Sequence, residues 1–174
     1  MNRKPYVVLV GIDFSELADR ALRQAFELAA QREAAEVHVL CVIPGVSVAA
    51  CDALGGYFTS SELGVRDGVY ESLRAHVSAE ASAFTARVEA QTTRPPRVMW
   101  HVRTDSPALG IVRLAAELAA DLIVVGSHGR DSTARELLGS VAENTLRYAG
   151  CPVLMVPTPA RAARVPQVIY VSSP

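Results

Sequence analysis

Four short apolar runs rich in valine, isoleucine and leucine recur along the chain. They cover Tyr6–Val10, Val37–Ile43, Leu122–Val125 and Val153–Val156. Continuous apolar runs of this length are typical of strands buried on both faces of a parallel sheet. Val98–Val102 is a weaker fifth run, whose alternation of apolar and polar positions favours an edge strand. The pattern therefore predicts five strands.

The segments between these runs have helical spacing. A first helix is predicted from about Ser15 to Arg32. Its apolar residues lie along one face, namely Leu17, Ala21, Ala25 and Leu28. Frequent alanines and charges predict a second helix within Val69–Thr92.

Two further helices are indicated by their N-terminal residues. Ser106 and Pro107 predict the start of a third helix, with a serine cap and a proline in the first turn. A fourth helix is predicted to start at Ser140, because Ser140–Glu143 has the capping-box pattern, and to end at Gly150. Strands that alternate with helices predict an α/β fold, a doubly wound sheet with helices on both faces.

One segment interrupts this alternation after the second strand. Pro44–Gly68 contains several glycines and serines and few charges. Long insertions of this kind are often functional lids. We expect a mobile flap over the ligand end of the sheet, with hinges at Gly55–Gly56, Gly64 and Gly68.

The length of 174 residues fits one domain. We assign residues 1–157 to that domain and 158–174 to a C-terminal tail, in which Gln167–Val171 is a candidate extra strand. The net charge of −1 provides no basic field that would attract nucleic acid or a membrane surface. Three cysteines without CxxC spacing fit a reduced compartment, and no apolar run has the length of a signal peptide or a membrane span. The sequence therefore predicts a cytoplasmic protein.

Glycines mark the candidate site. Gly126–Arg130 leaves the carboxyl end of the fourth strand, and Gly139-Ser140 begins a helix whose free N–H groups favour an anion. Ligands of open α/β sheets bind at such strand ends. A polyphosphate site is therefore indicated, although each glycine taken alone could serve only as a turn residue.

Two common phosphate motifs are excluded. A P-loop requires a lysine at the glycine loop, but the only lysine, Lys4, precedes the first strand. The first turn between strand and helix, Gly11–Ser15, lacks the GxGxxG pattern of dinucleotide-binding folds.

The spacing Gly126-x2-Gly129-x9-Gly139-Ser140 resembles the nucleotide-binding signature of the universal stress protein family, GxxG-x9-G[ST]. The resemblance extends to VVLVGIDFSE, VHVLCVIP, VVGSHG and LLGSVAENTLRYAGCPVLMVP. It covers the chain from Pro5 to Pro157, except for the insertion.

The resemblance implies a five-stranded parallel sheet of order 3-2-1-4-5. It also implies ATP bound across strands 1 and 4, with Mg²⁺ held through the phosphates. Site residues carried over by position, or placed beside the motif in its loop, are Gly11, Ile12, Asp13, Val42, Val125, Gly126, Ser127, His128, Gly129, Arg130, Gly139, Ser140 and Val141. Gly11 departs from the small apolar residue or proline more usual in the family, and we expect looser packing of the adenine there. The resemblance further implies a homodimer through Pro152–Val156.

Several roles stay open at the level of sequence. Asp13 could position a ribose hydroxyl or a Mg²⁺-bound water, or it could share the cap of the first helix with Ser15. His128 and Arg130 could approach phosphate or serve only the loop. We expect an ATP-binding regulatory protein of the stress response, with no partner protein identifiable. A slow ATPase or phosphotransfer enzyme and an interaction module without nucleotide are the alternatives, and no catalytic or metal-ligating set is defined.

Overall fold

The computed structural model describes residues 4–43, 60–88, 96–128 and 138–158. Strands and helices alternate through these ranges. In chain order the elements are β1 (Tyr6–Ile12), α1 (Glu16–Ala30), β2 (Ala35–Ile43), α2 (Ser60–Val88), β3 (Arg97–Thr104), α3 (Pro107–Leu118), β4 (Leu122–Gly126), α4 (Ser140–Tyr148) and β5 (Val153–Val156).

The five strands form one parallel sheet of order β3-β2-β1-β4-β5. The α/β class and the strand order are confirmed, and β3 lies at an edge as its alternating pattern predicts. Because β1 pairs with β2 on one side and β4 on the other, the strand order reverses beside β1 and β4. In such sheets the crevice at this reversal is where ligands bind.

Alternate residues of each strand enter two separate apolar cores. Val8 and Val10 pack with α1 and α2 on one face, whereas Val7 and Leu9 pack with α3 and α4 on the other. All four of these residues are nearly or fully buried. Burial on both faces is the reason that the strands appear as continuous apolar runs.

The helix ends differ from the sequence prediction at several points. Helix α2 begins at Ser60, nine residues before the predicted Val69, so the insertion ends in helix and the proposed hinges Gly64 and Gly68 are helical. The predicted flap hinge at Gly55–Gly56 lies outside the described residues, as does the candidate strand Gln167–Val171. Helix α4 ends at Tyr148, before the predicted Gly150.

The predicted caps are confirmed in only one case. Ser15 caps α1, because its Oγ accepts a hydrogen bond from Ala18 N. Ser106 precedes α3 but makes no side-chain cap hydrogen bond. The N-cap of α4 is Gly139, so Ser140 is the first helical residue and the capping-box prediction is wrong.

None of the helices in the described ranges is long and apolar enough to cross a membrane.

Candidate functional site

A cleft of about 720 Å³ opens at the carboxyl ends of β1, β2 and β4. The turns that follow these strands and the start of α4 form its walls. The lining residues are Gly11, Ile12, Asp13, Phe14, Ala18, Leu40, Cys41, Val42, Ile43, Val69, Pro107, Ile111, Val125, Gly126, His128, Gly139, Ser140, Val141 and Ala142.

The turn from β1 to α1 is fixed by local hydrogen bonds. Asp13 Oδ1 accepts from Ser15 N at 3.0 Å, and Ser15 Oγ in turn caps the helix. Asp13 therefore takes part in the start of α1 and also lines the cleft. Between them Phe14 has a φ of 62°, a left-handed conformation that is uncommon for a residue other than glycine.

Gly11 lies against helix α3. A Cβ at this position would come within 2.8 Å of Ile111 Cδ1 and within 3.6 Å of Val125 Cγ1. The volume that a larger residue would occupy is therefore filled by Ile111. Ile111 also lines the cleft, so its side chain lies where we expected Gly11 to leave looser packing around the adenine.

The turn after β4 is tied to its neighbours through Ser127. Its backbone N donates to Val156 O at 2.8 Å, its carbonyl accepts from Gly139 N at 2.8 Å, and its Oγ lies 2.9 Å from His128 Nδ1. These bonds join the end of β4 to β5 and to the start of α4. Ser127 is buried and does not line the cleft, whereas His128 does.

Gly126 and Gly139, two of the glycines that line the cleft, differ in why glycine fits there. Gly139 has φ −73° and ψ 151°, an extended conformation that any residue adopts, so backbone conformation does not require glycine there. At Gly126 a Cβ would lie 3.0 Å from Leu17 Cγ and 3.2 Å from the His128 carbonyl oxygen. Gly126 therefore permits close packing with α1.

The N-terminus of α4 faces the cleft without a side-chain cap. The N–H groups of Ser140, Val141 and Ala142 precede the first intrahelical donor, Glu143 N, which bonds to Gly139 O at 2.9 Å. Uncapped first-turn N–H groups and the helix dipole together favour an anion. Glu143 lies on the exposed side of this turn and pairs with Arg147 at 2.9 Å.

Most of the predicted site residues meet in this cleft. Those that line it are Gly11, Ile12, Asp13, Val42, Val125, Gly126, His128, Gly139, Ser140 and Val141. Gly129 and Arg130 lie outside the described residues. The roles of all these residues toward a ligand stay predictions.

Sequence reasoning missed a group of apolar lining residues. They are Phe14, Ala18, Leu40, Cys41, Ile43, Val69, Pro107, Ile111 and Ala142. Phe14, Leu40, Cys41 and Ile43 adjoin predicted site positions, so proximity could have indicated them. Val69 and Ile111 come from α2 and α3, and no sequence signal places them here.

Ionisable groups with shifted pKa values lie away from the cleft lining. Burial, with the neighbouring His38 and Arg103, lowers the pKa of His101 to about 4. Burial also lowers the pKa of His38 and raises the pKa of the Cys151 thiol. Among the described residues no group of three or more His, Cys, Asp or Glu side chains could hold a metal ion.

The sheet order and the cleft at its reversal define a doubly wound α/β protein, a class in which ligands bind at the strand ends. The universal stress protein family model matches residues 6–157, and the chain belongs to this family. The resemblance drawn from the glycine spacing is thereby confirmed.

Individual relatives agree with this assignment. The chain is 33% identical over 153 residues to universal stress protein G of Escherichia coli O157:H7, a match that covers 88% of this chain and 98% of the relative. A universal stress protein of Archaeoglobus fulgidus in complex with dAMP has a TM-score of 0.56 and 27% identity, covering 90% of this chain and 99% of that one. A universal stress protein in complex with cAMP has a TM-score of 0.55 and 25% identity, covering 89% and 98%.

Proposed function

We propose that this protein binds ATP in the cleft, with the triphosphate against the N-terminus of α4. The observation that carries the proposal is the uncapped first turn of α4, whose N–H groups and dipole face the cleft. Gly139 and Ala142 are buried and Val141 is partly buried at this helix end, whereas Ser140 is exposed, so the first-turn N–H groups need water or a ligand as a partner. A phosphate group supplies such a partner.

The remainder of the cleft suits the nucleoside. Ile12, Val42, Ile43 and Val69 provide an apolar lining against which the faces of a planar base, which form no hydrogen bonds, would pack. The relatives in complex with dAMP and cAMP support an adenine nucleotide as the class of ligand. The glycine spacing beside the α4 terminus supports a triphosphate over a monophosphate.

Mg²⁺ would be held mainly through the phosphates. The Asp13 carboxylate is the acidic group of the described lining, and hard oxygen ligands of this kind suit Mg²⁺. We further propose a cytoplasmic regulatory protein of the stress response that acts as a homodimer through β5.

Calorimetry of the purified chain with Mg²⁺ and each of ATP, AMP and cAMP tests the proposal. We expect binding of all three adenine nucleotides, with ATP the tightest because it alone places three phosphates at the cleft. Absence of heat with ATP at millimolar concentration would contradict the proposal. Native mass spectrometry of the protein as purified gives an independent readout of retained nucleotide.

A proline at position 140 tests the role of α4. Ser140→Pro removes one first-turn N–H group, and proline is well tolerated at the first helical position. The extended Gly139 also suits a following proline. We expect ATP affinity to fall about tenfold, or about 1.4 kcal/mol, with circular dichroism unchanged.

The matched control is Ser140→Ala, which removes the hydroxyl and keeps the N–H group. Its affinity should fall less than that of Ser140→Pro. Equal ATP affinity in the folded Ser140→Pro protein and the wild type would contradict phosphate binding at α4.

A further inference from the structure

Phe14 occupies an unusual position in the cleft wall. It follows Asp13 in the cleft lining, and its φ of 62° is a backbone conformation that residues other than glycine rarely adopt. A residue in this region is strained and persists where surrounding contacts hold it. The contacts that hold Phe14 therefore bear on the site.

Helix α2 supplies one of those contacts. The ring of His76 meets the ring of Phe14 edge-on, with centroids 5.5 Å apart and planes at 75°. His76 Nε2 lies 2.7 Å from Asp19 Oδ1. Because a carboxylate only accepts hydrogen bonds, Nε2 donates, and this bond fixes the orientation of the imidazole.

Asp19 is well placed to hold His76. It lies in the first turn of α1, where the helix dipole favours a carboxylate. Both side chains are partly buried, with 29% of His76 and 21% of Asp19 exposed, so water competes only partly for their hydrogen bond. A series of side-chain contacts, from Asp19 to His76 and from His76 to Phe14, therefore connects α1 and α2 to the cleft.

Two further contacts between the same two helices involve residues that do not line the cleft. Arg23 pairs with Glu80 at 2.9 Å, one turn beyond Asp19 and His76. The rings of Phe26 and Phe84 follow, with centroids 5.5 Å apart. Among the described residues, two polar pairs thus join α1 and α2, and one of them contacts a cleft residue. Helix α2 also contributes Val69 to the lining.

We propose that Phe14 is the aromatic wall against which the base of the nucleotide packs, and that His76 and Asp19 are positioning residues for it. This inference rests on the proposed function. An aromatic ring offers a flat surface to a heterocyclic base but no hydrogen bond to a phosphate. In this proposal helix α2 helps to form the apolar end of the cleft that binds the base, whereas the N–H groups of α4 form the polar end that binds phosphate.

Phe14→Leu tests the wall. Leucine keeps the apolar character and the β-carbon, so the cost of the left-handed backbone changes little, but the aromatic face is lost. We expect ATP affinity, measured by calorimetry, to fall about tenfold. The affinity for inorganic tripolyphosphate, which has no base, should stay within twofold of the wild type.

Asp19→Ala and Asp19→Asn test the positioning role. Alanine removes the acceptor for His76, and we expect ATP affinity to fall three- to tenfold with tripolyphosphate affinity unchanged. Asparagine keeps an oxygen acceptor and should restore most of the ATP affinity. In the double variant Phe14→Leu/Asp19→Ala the loss should not exceed that of Phe14→Leu, because Asp19 acts through Phe14.

Glu80→Ala is the matched control. It removes the second polar pair between α1 and α2, so it should lower the midpoint of urea unfolding and leave the ratio of ATP to tripolyphosphate affinity unchanged. A Phe14→Leu protein with the wild-type ratio would overturn this inference alone. Absence of ATP binding by the wild-type chain would overturn the proposed function as well.

Discussion

At the scale of single residues, the surroundings of Gly126 and Gly139 determine what a valine at each position would change. Gly139 has an extended backbone and faces the cleft, so Gly139→Val adds bulk at the α4 terminus without backbone strain. Gly126 packs against Leu17 and the His128 carbonyl, so Gly126→Val disturbs the contact of β4 with α1 as well. Of these two substitutions, Gly126→Val changes a packing contact as well as the site, whereas Gly139→Val causes no backbone strain.

The buried histidines provide another residue-scale feature. His38 Nδ1 lies 2.9 Å from His101 Nε2, and the two rings are nearly parallel at 11°. Glu36 Oε2 lies 3.5 Å from His38 Nε2, and the charges of Arg103 and Glu117 act on His101. The pair thus joins the neighbouring strands β2 and β3.

Folding stability should depend on the protonation of this pair. Because both folded-state pKa values are lowered, that of His101 to about 4, the unfolded chain binds protons first as the pH falls. The free energy of folding that depends on the neutral histidine pair is therefore fully present above about pH 6.5, and it is lost as the pH falls from there to about 4. We expect urea unfolding at pH 5 to show a wild-type free energy about 1–2 kcal/mol lower than at pH 7.

His101→Gln provides the comparison for this effect. Glutamine can still donate to His38 Nδ1, but it does not titrate. The variant should therefore lose less stability between pH 7 and pH 5 than the wild type. Equal losses would show that other groups account for the acid sensitivity.

At the scale of secondary structure elements, the start of α3 depends on the residue before the predicted cap. Asp105 is buried, and its Oδ1 accepts from Ser106 N at 2.7 Å. Its Oδ2 accepts from Arg113 Nη1, also at 2.7 Å. The carboxylate thus joins the end of β3 to the first two turns of α3, whereas the Ser106 hydroxyl makes no cap bond.

Two neighbouring alanine substitutions distinguish these roles. Asp105→Ala should lower the free energy of unfolding by about 1–3 kcal/mol, because it removes two hydrogen bonds of a buried carboxylate, one of them to a charged guanidinium. Ser106→Ala should change it by less than about 0.5 kcal/mol. Urea denaturation followed by circular dichroism measures both, and a larger effect of Ser106→Ala would contradict the assignment.

At the scale of the whole molecule, the described sheet has edges at β3 and β5. Helix α2 packs beside β3, and Trp100 Nε1 donates to the Tyr70 hydroxyl at 2.8 Å across this contact. Strand β5 leaves Val153, Leu154 and Met155 partly exposed. An exposed apolar edge of this kind favours pairing with a second chain, and an antiparallel pair about a two-fold axis would cover it.

The hydrogen bonds of β5 allow a direct test of the proposed dimer. Pro152 O and Val156 O accept from β4, so alternation directs the N–H groups of Val153 and Met155 to the open edge. Met155→Pro removes an outward N–H group, which edge strands tolerate. We expect sedimentation to show a dimer for the wild type and a monomer for this variant, with helical circular dichroism retained.

Leu154→Pro is the control for that experiment, because it removes an N–H group directed toward β4. It should lower the stability of the fold itself. A wild-type monomer, or a Met155→Pro dimer as tight as the wild type, would contradict pairing through β5.

The sequence by itself determined the α/β class, the five strands and the family. Strands buried on both faces produce apolar runs, as in Val37–Ile43, and these need no knowledge of their neighbours. The spacing of Gly126, Gly129 and Gly139 likewise lies within one continuous segment. The polar and glycine positions of the candidate site follow from the family resemblance that this spacing supports, and most of them line one cleft.

Tertiary structure decided the features that depend on contacts between distant segments. The sequence does not indicate that Ile111 fills the space beside Gly11, that Asp105 rather than Ser106 holds the start of α3, or that α2 begins at Ser60. The apolar lining from Val69 and Ile111 has the same origin. Local propensity fixes where an element can form, but side-chain packing across the sheet determines where it ends and which of its residues reach the cleft.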